Sequence, residues 1–359
     1  MPAQGNAMEF QPDYRHLVAA ARNQRPARLP LYEHHISTDM MERVLGTRFA
    51  HLNGQGPEAQ REYFRHCCGF FREMTYDCVS YEVGICSALV DGGAIMGGKA
   101  GPIQSRADFE RYPWEDLPRR YWEIAGPRFA ALAAEMPAGM KAVGGVGNGV
   151  FEISEDLVGY EWLCLMLADD PELVGDLFQR IGSLMDGIWA EFLRRHPDLF
   201  CVLRFGDDLG FKSSTLMSPP FIRRHIMPQY KRVIGRILAT GTPFLWHSCG
   251  KIFPVMEDAI ACGICAKHSN EDQIAPFDDW ISGYGSRIGL FGGIDVDILC
   301  RENPQQVYEL VLERGLRFRA NASGFALGSG NSIPDYIPTE GYLAMVRAGQ
   351  EIRRRELAG

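Results

Sequence analysis

Short apolar runs with the composition of β-strands alternate with longer amphipathic stretches along the chain. Eight runs cover residues 28–35, 77–83, 141–146, 200–205, 243–247, 264–268, 287–291 and 324–328. Helical periodicity follows in residues 57–74, 122–135, 156–169, 171–195, 219–239, 304–314 and 339–356. Alternating strands and helices predict a parallel α/β fold, and eight repeats favour a closed (β/α)8 TIM barrel over an open sheet.

The length of the chain agrees with this prediction. A chain of 359 residues suits one barrel, and it contains neither a linker nor a low-complexity tract. We therefore expect a single domain over residues 1–359. The glycine-rich and polar segment 84–118 is predicted to be a long excursion between a strand and a helix.

The amino-acid composition argues against several classes of binding partner and of cellular location. The net charge is −8, which argues against a nucleic-acid partner or an anionic membrane surface. Residues 1–12 are polar, unlike a signal peptide, and no apolar run is long enough to span a membrane. The ten cysteines show no disulfide-scaffold spacing. We expect a cytoplasmic protein with reduced thiols.

A histidine and a cysteine follow the fifth predicted strand, as His247-Ser248-Cys249. Side chains two residues apart on an extended segment share a face, and imidazole and thiolate are both zinc ligands. The alternative is a buried cysteine beside a hydrogen-bonded core histidine. Catalytic groups of barrel enzymes lie where strands end, and titratable residues and glycines concentrate at these ends, which favours the metal hypothesis.

Two acidic residues, Asp207 and Asp208, follow the fourth predicted strand. They are either a paired acid/base site with one raised pKa or loop carboxylates that cap the next helix. The residues alone leave both interpretations open.

Several motifs at these strand ends occur in a specific order. They are Asp207-Asp208-Leu209-Gly210, Met217-Ser218-Pro219, His247-Ser248-Cys249-Gly250, His268-Ser269-Asn270-Glu271-Asp272, Gly292-Gly293-Ile294-Asp295 and Gly328-Ser329-Gly330-Asn331. With them the chain resembles the uroporphyrinogen decarboxylase superfamily, and more closely its corrinoid-dependent methyltransferase branch. The resemblance implies a (β/α)8 barrel.

The resemblance also implies a zinc site. In the methyltransferase branch a His-x-Cys pair and a later cysteine bind zinc, and His247 and Cys249 match the first two ligands. This chain has Ser329 where the later cysteine would stand. A hydroxyl is a poor zinc ligand, so Glu271 is the leading candidate for the third position. Glu33, His35 and His268 are weaker candidates.

The function implied is methyl transfer between a small methoxylated substrate, including aromatic ones, and the cobalt of a separate corrinoid protein, with zinc as Lewis acid. Asp207, Glu271 or a protonated Glu82 would be the catalytic acids. The residues expected to bind the substrate are Tyr81, Phe151, Trp246, Phe211 and Asn331.

Two other functions remain possible on the sequence. The first is metal-free decarboxylation of the uroporphyrinogen type. The arginine-rich motif ending in Gly-Arg-Tyr that grips porphyrin carboxylates is absent from residues 25–35, which counts against it. The second is a non-catalytic protein that binds a corrinoid or another tetrapyrrole.

Overall fold

Seven parallel strands form one curled sheet, in the order of the chain, in a computed structural model that describes residues 10–358. The prediction that the polar N-terminal residues are not a signal peptide falls mostly on residues 1–9, which lie outside this range. The strands are β1 (Cys78–Gly84), β2 (Lys141–Gly147), β3 (Phe200–Gly206), β4 (Phe244–His247), β5 (Ala266–His268), β6 (Gly289–Ile294) and β7 (Phe325–Ser329).

Fifteen helices lie within residues 10–358, and most of them cover the outer face of the sheet. They are α1 (Arg15–Ala21), α2 (Thr38–Leu45), α3 (Pro57–Glu73), α4 (Arg106–Arg111), α5 (Leu117–Glu135), α6 (Val150–Val158), α7 (Tyr160–Asp169), α8 (Pro171–Arg195), α9 (Pro219–Phe221), α10 (Met227–Leu238), α11 (Met256–Ala261), α12 (Phe277–Tyr284), α13 (Val296–Arg301), α14 (Pro304–Asn321) and α15 (Thr339–Ala358). A π-helical turn, Ile222–Ile226, joins α9 to α10, and short 3₁₀ turns cover Ala50–Leu52, Ile85–Ala88, Ala94–Met96, Trp114–Asp116 and Phe253–Val255.

The first of the eight predicted strands, residues 28–35, does not form a regular strand. Isolated bridges join Leu31 to Leu327 and Ile36 to Ile333, and they place the segment beside β7. Pro30 accepts a hydrogen bond from the Leu327 amide but has no N–H to donate, which limits ladder pairing here. The regular sheet therefore has seven strands instead of the expected eight.

The predicted helix at residues 156–169 is two helices, α6 and α7. They meet at Gly159, whose φ of +91° is a conformation that side-chain-bearing residues rarely adopt. The aromatic ring of Trp162 also lies where a β-carbon of residue 159 would stand, 2.8 Å away. A glycine inside a helical pattern was the available signal for this break.

Both faces of the sheet are buried, as expected for parallel strands. The outer face packs against the helices in one large apolar cluster. The inner face forms a smaller cluster that includes Val143, Leu245 and Phe291, and Leu17 of α1 packs into it. Helix α1, which the sequence analysis did not predict, thus covers the amino ends of the strands and leaves their carboxyl ends free for a site.

The cysteines and the helices show two further properties of the described part of the chain. All ten cysteines lie within residues 10–358, and all are free thiols. No helix in that range is both long enough and apolar enough to cross a membrane.

Gly328 allows the 28–35 segment to lie against β7. A β-carbon at this position would collide with the carbonyl oxygen of Tyr32. We expect Gly328→Ala to lower the free energy of unfolding by at least about 2 kcal/mol, because neither backbone can move without breaking the bridge. Urea unfolding measures this. Gly187→Ala, at an open position of α8, is the control and should raise stability by up to about 1 kcal/mol. Equal stability of Gly328→Ala and the parent would contradict this account.

Candidate metal centre

The register of three neighbouring strands brings polar residues together at the carboxyl edge of the sheet. Gly206 at the end of β3 pairs with His247 at the end of β4, and His247 pairs with His268 at the end of β5. Successive residues of a strand face opposite sides, so Leu245 and His247 face inward whereas Trp246 faces the helices. The carboxyl end of β4 therefore presents an imidazole to the interior.

Three potential metal ligands meet beside β4. The Nε2 atom of His247 lies 3.4 Å from the Sγ atom of Cys249 and 3.7 Å from Oδ1 of Asp208. Asp208 is held there because its Oδ1 accepts a hydrogen bond of 2.8 Å from the Cys249 amide. All three ligand atoms lie within 4.8 Å of one another. The two residues of the His-x-Cys motif thus face a common point, as the sequence predicts.

A chain of hydrogen bonds determines which nitrogen of His247 is free. The carbonyl oxygen of Ser329 accepts a bond of 3.0 Å from Nε2 of His268, so that nitrogen carries hydrogen. Burial lowers the pKa of His268 to about 3, so the ring is neutral and its Nδ1 is an acceptor. This Nδ1 lies 2.8 Å from Nδ1 of His247, which must therefore donate. The Nε2 atom of His247 is left with a lone pair directed at Cys249 and Asp208.

These donors fit a zinc ion. Tetrahedral zinc with ordinary bond lengths requires about 3.5 Å between nitrogen and sulfur ligands and about 3.4 Å between nitrogen and oxygen ligands. The observed separations of 3.4 and 3.7 Å are close to these values. An anchored histidine whose second nitrogen is hydrogen-bonded is also the usual arrangement of a metal ligand. Histidine, cysteine and aspartate leave a fourth position for water or substrate.

A second group of potential ligands, His34, His247 and His268, fits a metal less well. The rings of His34 and His247 are stacked, with centroids 3.8 Å apart and planes inclined by 21°. Ligand lone pairs lie in the plane of an imidazole ring, so stacked rings do not direct them at one ion. The Nδ1 atom of His247 also donates a hydrogen bond to Nδ1 of His268, so neither of these nitrogens is available to an ion.

The sulfur of Cys249 has two further polar neighbours. The Oγ atom of Ser269 and the Nδ2 atom of Asn331 each lie 3.6 Å from it. Burial, with a smaller contribution from Asp208, raises the pKa of the thiol well above its usual value. Without a cation the sulfur keeps its proton, and a bound divalent ion would displace it. The two donors would then stabilise the thiolate.

The other candidates for the third ligand lie outside this cluster. Glu271 belongs to neither group of potential ligands found within residues 10–358, and its role as a ligand stays a prediction. Ser329 is occupied elsewhere, because its amide and hydroxyl both donate to the carboxyl group of Glu33. Asp208, instead of Glu271, is the acidic residue that the structure groups with His247 and Cys249.

Asp207 is directed away from Asp208. Its carboxylate accepts bonds from the amides of Phe151 and Glu152 at the start of α6 and from the hydroxyl of Tyr230 at 2.7 Å. Burial raises its pKa to about 7. The adjacent acids thus have different positions, because Asp207 caps a helix whereas Asp208 faces His247.

Glu152 is an acid at the site that the sequence analysis did not single out. Burial, reinforced by the charges of Asp207 and Asp208, raises its pKa well above the usual value. A β-carbon built on Gly206 would lie 3.7 Å from Oε1 of Glu152 and 3.5 Å from Cδ2 of His247. The carboxyl group of Glu152 therefore lies in the neighbourhood of the candidate ligand His247, and its raised pKa favours the protonated form.

Glu82 forms an ion pair inside the curled sheet. Its Oε2 atom accepts bonds of 2.9 and 2.7 Å from Nε and Nη2 of Arg204. Arg204 is 1% exposed, and it also donates to Tyr32 and Ser80. A single arginine in the apolar run of β3 was the sequence signal for this pair, since a buried cation requires a carboxylate.

The structure separates the five residues predicted to bind substrate. Asn331 lies beside Cys249, and Tyr81 borders a cavity on β1. Phe211 is 60% exposed in the loop after β3. Phe151 and Trp246 are fully buried in the layer between sheet and helices. Trp246 and Phe151 therefore lie in the layer between the sheet and the helices, and their role in binding a substrate stays a prediction.

Comparison with known proteins shows similarity in fold. A methyltransferase from Methanosarcina mazei superposes with a TM-score of 0.74 at 16% identity, over 94% of this chain and 97% of that one. A B12-independent methionine synthase from Shewanella sp. W3-18-1, in complex with selenomethionine, gives a TM-score of 0.50 at 14% identity, over 85% and 91% of the two chains. No protein-family model and no curated sequence matches the chain. The resemblance to methyltransferases is thereby confirmed at the level of a parallel α/β fold, with a curled seven-stranded sheet where the complete eight-stranded barrel was expected.

The choice between Asp208 and Glu271 as third ligand is testable. We expect Asp208→Asn to weaken zinc binding at least about tenfold, because an amide oxygen carries no charge. Glu271→Gln should bind zinc like the parent protein. Competition with a chromophoric chelator measures both affinities, and elemental analysis gives the stoichiometry. The reverse ranking of the two variants would assign the ligand to Glu271.

Glu33 makes stability depend on pH. Burial raises its pKa from 4.5 to about 8, so between these values the folded protein binds a proton that the unfolded chain releases. The contribution of Glu33 to the free energy of unfolding is complete below about pH 4.5. It is lost as the pH rises to about 8, by up to about 1.4 kcal/mol per pH unit. Glu33→Gln should remove this loss in urea unfolding from pH 5 to 8. Glu62→Gln, the same charge change at an exposed position, should retain it, and parallel profiles for Glu33→Gln and the parent would refute the assignment.

Proposed function

We propose that this protein is a zinc-dependent methyltransferase that acts on a small methoxylated substrate. The observation that carries the proposal is the free lone pair of His247, directed at Cys249 and Asp208 at the carboxyl edge of a parallel sheet. The similarity in fold to a methyltransferase supports it. We also propose that residues 28–35 take the place of the eighth barrel strand.

His247, Cys249 and Asp208 would hold the cation. A zinc ion bound there would act as a Lewis acid on the oxygen that carries the methyl group. Asp208 has a side chain that is 43% exposed, so the cluster is open toward solvent on that side. A substrate can therefore approach the cluster from the carboxyl edge.

Glu152 would supply the proton. Burial and the charges of Asp207 and Asp208 raise the pKa of Glu152 well above its usual value, which favours the protonated carboxyl group, and this group lies near His247. Asp207 is less suited to this role, because its two oxygens already accept three hydrogen bonds. The methyl–oxygen bond breaks, the oxygen keeps the electron pair, and the proton of Glu152 neutralises it.

The methyl acceptor in this proposal is the Co(I) of a corrinoid carried by a separate protein. A corrinoid bound to such a partner would supply the electron pair of the new bond to the methyl carbon, and no further reductant would be needed. This part of the proposal rests on the family resemblance. Cytoplasmic location and the corrinoid partner both stay predictions.

The test is direct formation of methylcobalamin. Zinc-loaded protein is incubated without oxygen with cob(I)alamin and a panel of methoxyarenes, and visible absorption follows conversion to methylcobalamin while mass spectrometry detects the phenol. We expect His247→Ala to lose both zinc and at least about 99% of the rate, and Glu152→Gln to lower the rate at unchanged zinc content.

His51→Ala, at an exposed histidine, is the control and should keep both zinc and rate. Absence of methylcobalamin with every methoxyarene and with simple methyl donors would refute the proposed function.

A further inference from the structure

Gly206, the last residue of β3, leaves a small space at the carboxyl edge of the sheet. A β-carbon at this position would lie 3.5 Å from Cδ2 of His247, 3.7 Å from Oε1 of Glu152 and 4.0 Å from Cε1 of His34. These are ordinary van der Waals distances, so the space can hold a carbon atom without displacing a neighbour. We call this space the polar recess, and it is bounded by His34, Glu82, Glu152 and His247.

Neither packing nor backbone conformation requires a glycine at position 206. Gly206 does not have a positive φ, so alanine could adopt the same conformation. Other glycines at this edge differ, because a β-carbon would come within 3.1 Å of a neighbouring atom at Gly84, Gly147, Gly149, Gly292, Gly293, Gly328 and Gly330. The space left by the missing side chain at position 206 is therefore available to a ligand.

The polar recess adjoins the side of His247 that carries the candidate ligand atom. The nearest ring atom, Cδ2, is bonded to Nε2, and Nε2 faces Cys249 and Asp208. The proposed acid, Glu152, borders the same space. A group bound here would touch both the metal ligand and the acid, whereas the ring of His34 separates the cavity beside β1 from the metal ligands.

The side chains around the recess favour an uncharged ligand. The Oε2 atom of Glu82 accepts both bonds from Arg204, and the pair is neutral. Burial lowers the pKa of His34 and of His247 well below the usual value, so both rings are neutral. The raised pKa of Glu152 favours its protonated form. A charged ligand would lack a counterion here, which is costly.

Two polar atoms of the recess are placed to bind a hydroxyl group. The Nε2 atom of His34 lies 4.0 Å from Oε1 of Glu82, too far for a hydrogen bond. One oxygen atom can lie about 2.8 Å from both, because two such bonds at roughly a right angle span this distance. A hydroxyl is both a donor and an acceptor, so it can donate to the carboxylate and accept from the imidazole. Both side chains are partly exposed, at 14% and 24%, and a small molecule can reach them.

The position of His34 is fixed although β1 lacks a strand partner on its outer edge. Within residues 10–358, β1 pairs with β2 alone, and the 28–35 segment is joined to it by a side chain. The hydroxyl of Ser80 donates to the carbonyl oxygen of His34 at 2.6 Å, and the ring of His34 stacks on His247 at 3.8 Å. The imidazole of His34 is therefore held in place beside Glu82.

We propose that the polar recess binds a small, uncharged aliphatic ether that carries a neighbouring hydroxyl group, and that Gly206 limits the size of the group that enters. The hydroxyl lies between His34 and Glu82, and the connecting carbons lie over Gly206. The ether oxygen lies beside Glu152. The inference rests on the proposed methyl transfer and adds to it the polarity of the substrate and its binding residues. An arene would leave the polar side chains of the recess without hydrogen bonds, which is unfavourable.

A matched pair of ligands tests the polarity of the recess. The probes are 2-methoxyethanol and 1-methoxypropane, which differ only by a hydroxyl in place of a methyl group. Ligand-observed NMR titration into the zinc-loaded protein, without cobalamin, measures both dissociation constants. We expect the alcohol to bind at least about tenfold more tightly, because the apolar ligand leaves His34 and Glu82 without a partner. Equal affinity, tighter binding of 1-methoxypropane or no binding of the alcohol would overturn the proposal.

Gly206→Ala tests the location. Its methyl group fills the recess at ordinary contact distances, so zinc content and the midpoint of urea unfolding should match the parent. Binding of 2-methoxyethanol should weaken at least about tenfold, since a filled site cannot admit the ligand. Gly235→Ala, at an open position of α10, is the control and should bind the alcohol like the parent. Unchanged binding in Gly206→Ala would overturn the location.

His34→Phe tests the hydroxyl site independently, including the case in which Gly206→Ala fails to fold. The variant keeps a ring against His247 but removes Nε2, so the preference for 2-methoxyethanol over 1-methoxypropane should fall below about threefold at unchanged zinc content. An undiminished preference would exclude His34 as the partner of the hydroxyl and overturn the proposed site.

These results are separable from those for methyl transfer. Binding that depends on Gly206 and His34, without methylcobalamin formation, would support the recess and remove the proposed function. Methyl transfer with the same KM in Gly206→Ala and the parent would do the opposite, because the substrate would then bind elsewhere.

Discussion

The hydrogen bonds that connect the Ser329 carbonyl, His268 and His247 control the chemistry of the site. A backbone carbonyl can only accept, so it fixes the proton of His268, and His268 in turn fixes that of His247. This series of hydrogen bonds connects β7, β5 and β4, and it depends on the parallel register of β4 and β5. Since the backbone of the sheet sets the tautomer, His247 presents its lone pair before any ion arrives.

A second constraint is the ion pair between Arg204 and Glu82 inside the sheet. Such a pair is favourable only when nearly all of its hydrogen bonds are made, and Tyr32 and Ser80 complete those of the arginine. The pair links the 28–35 segment, β1 and β3 at the point where regular pairing is absent. The ion pair therefore stabilises the structure where the 28–35 segment and β1 are not paired, and it leaves no net charge there.

The sequence predicts the parts of this protein that depend on periodicity and on local spacing. Seven of the eight predicted apolar runs form regular strands, and His247 and Cys249 were found from a separation of two residues on extended backbone. Asp208 could not be chosen over Glu271, because its position depends on a bond to the Cys249 amide across two loops. The role of Ser329 was hidden for the same reason. Its hydroxyl donates a hydrogen bond to Glu33, and its backbone carbonyl, a group that every residue possesses, accepts one from His268.

The unpaired edge of β1 has a consequence for how such a protein can diversify. The candidate ligand His247 stands on a strand that is held by ladders on both sides, and Asp208 and Cys249 follow directly after such strands, whereas the side chains beside the outer edge of β1 belong mainly to a single helix, α3. Replacements on that helix would alter the shape offered to small molecules without disturbing the strands. The residues beside this open edge and the candidate metal ligands thus belong to separate stretches of the polypeptide.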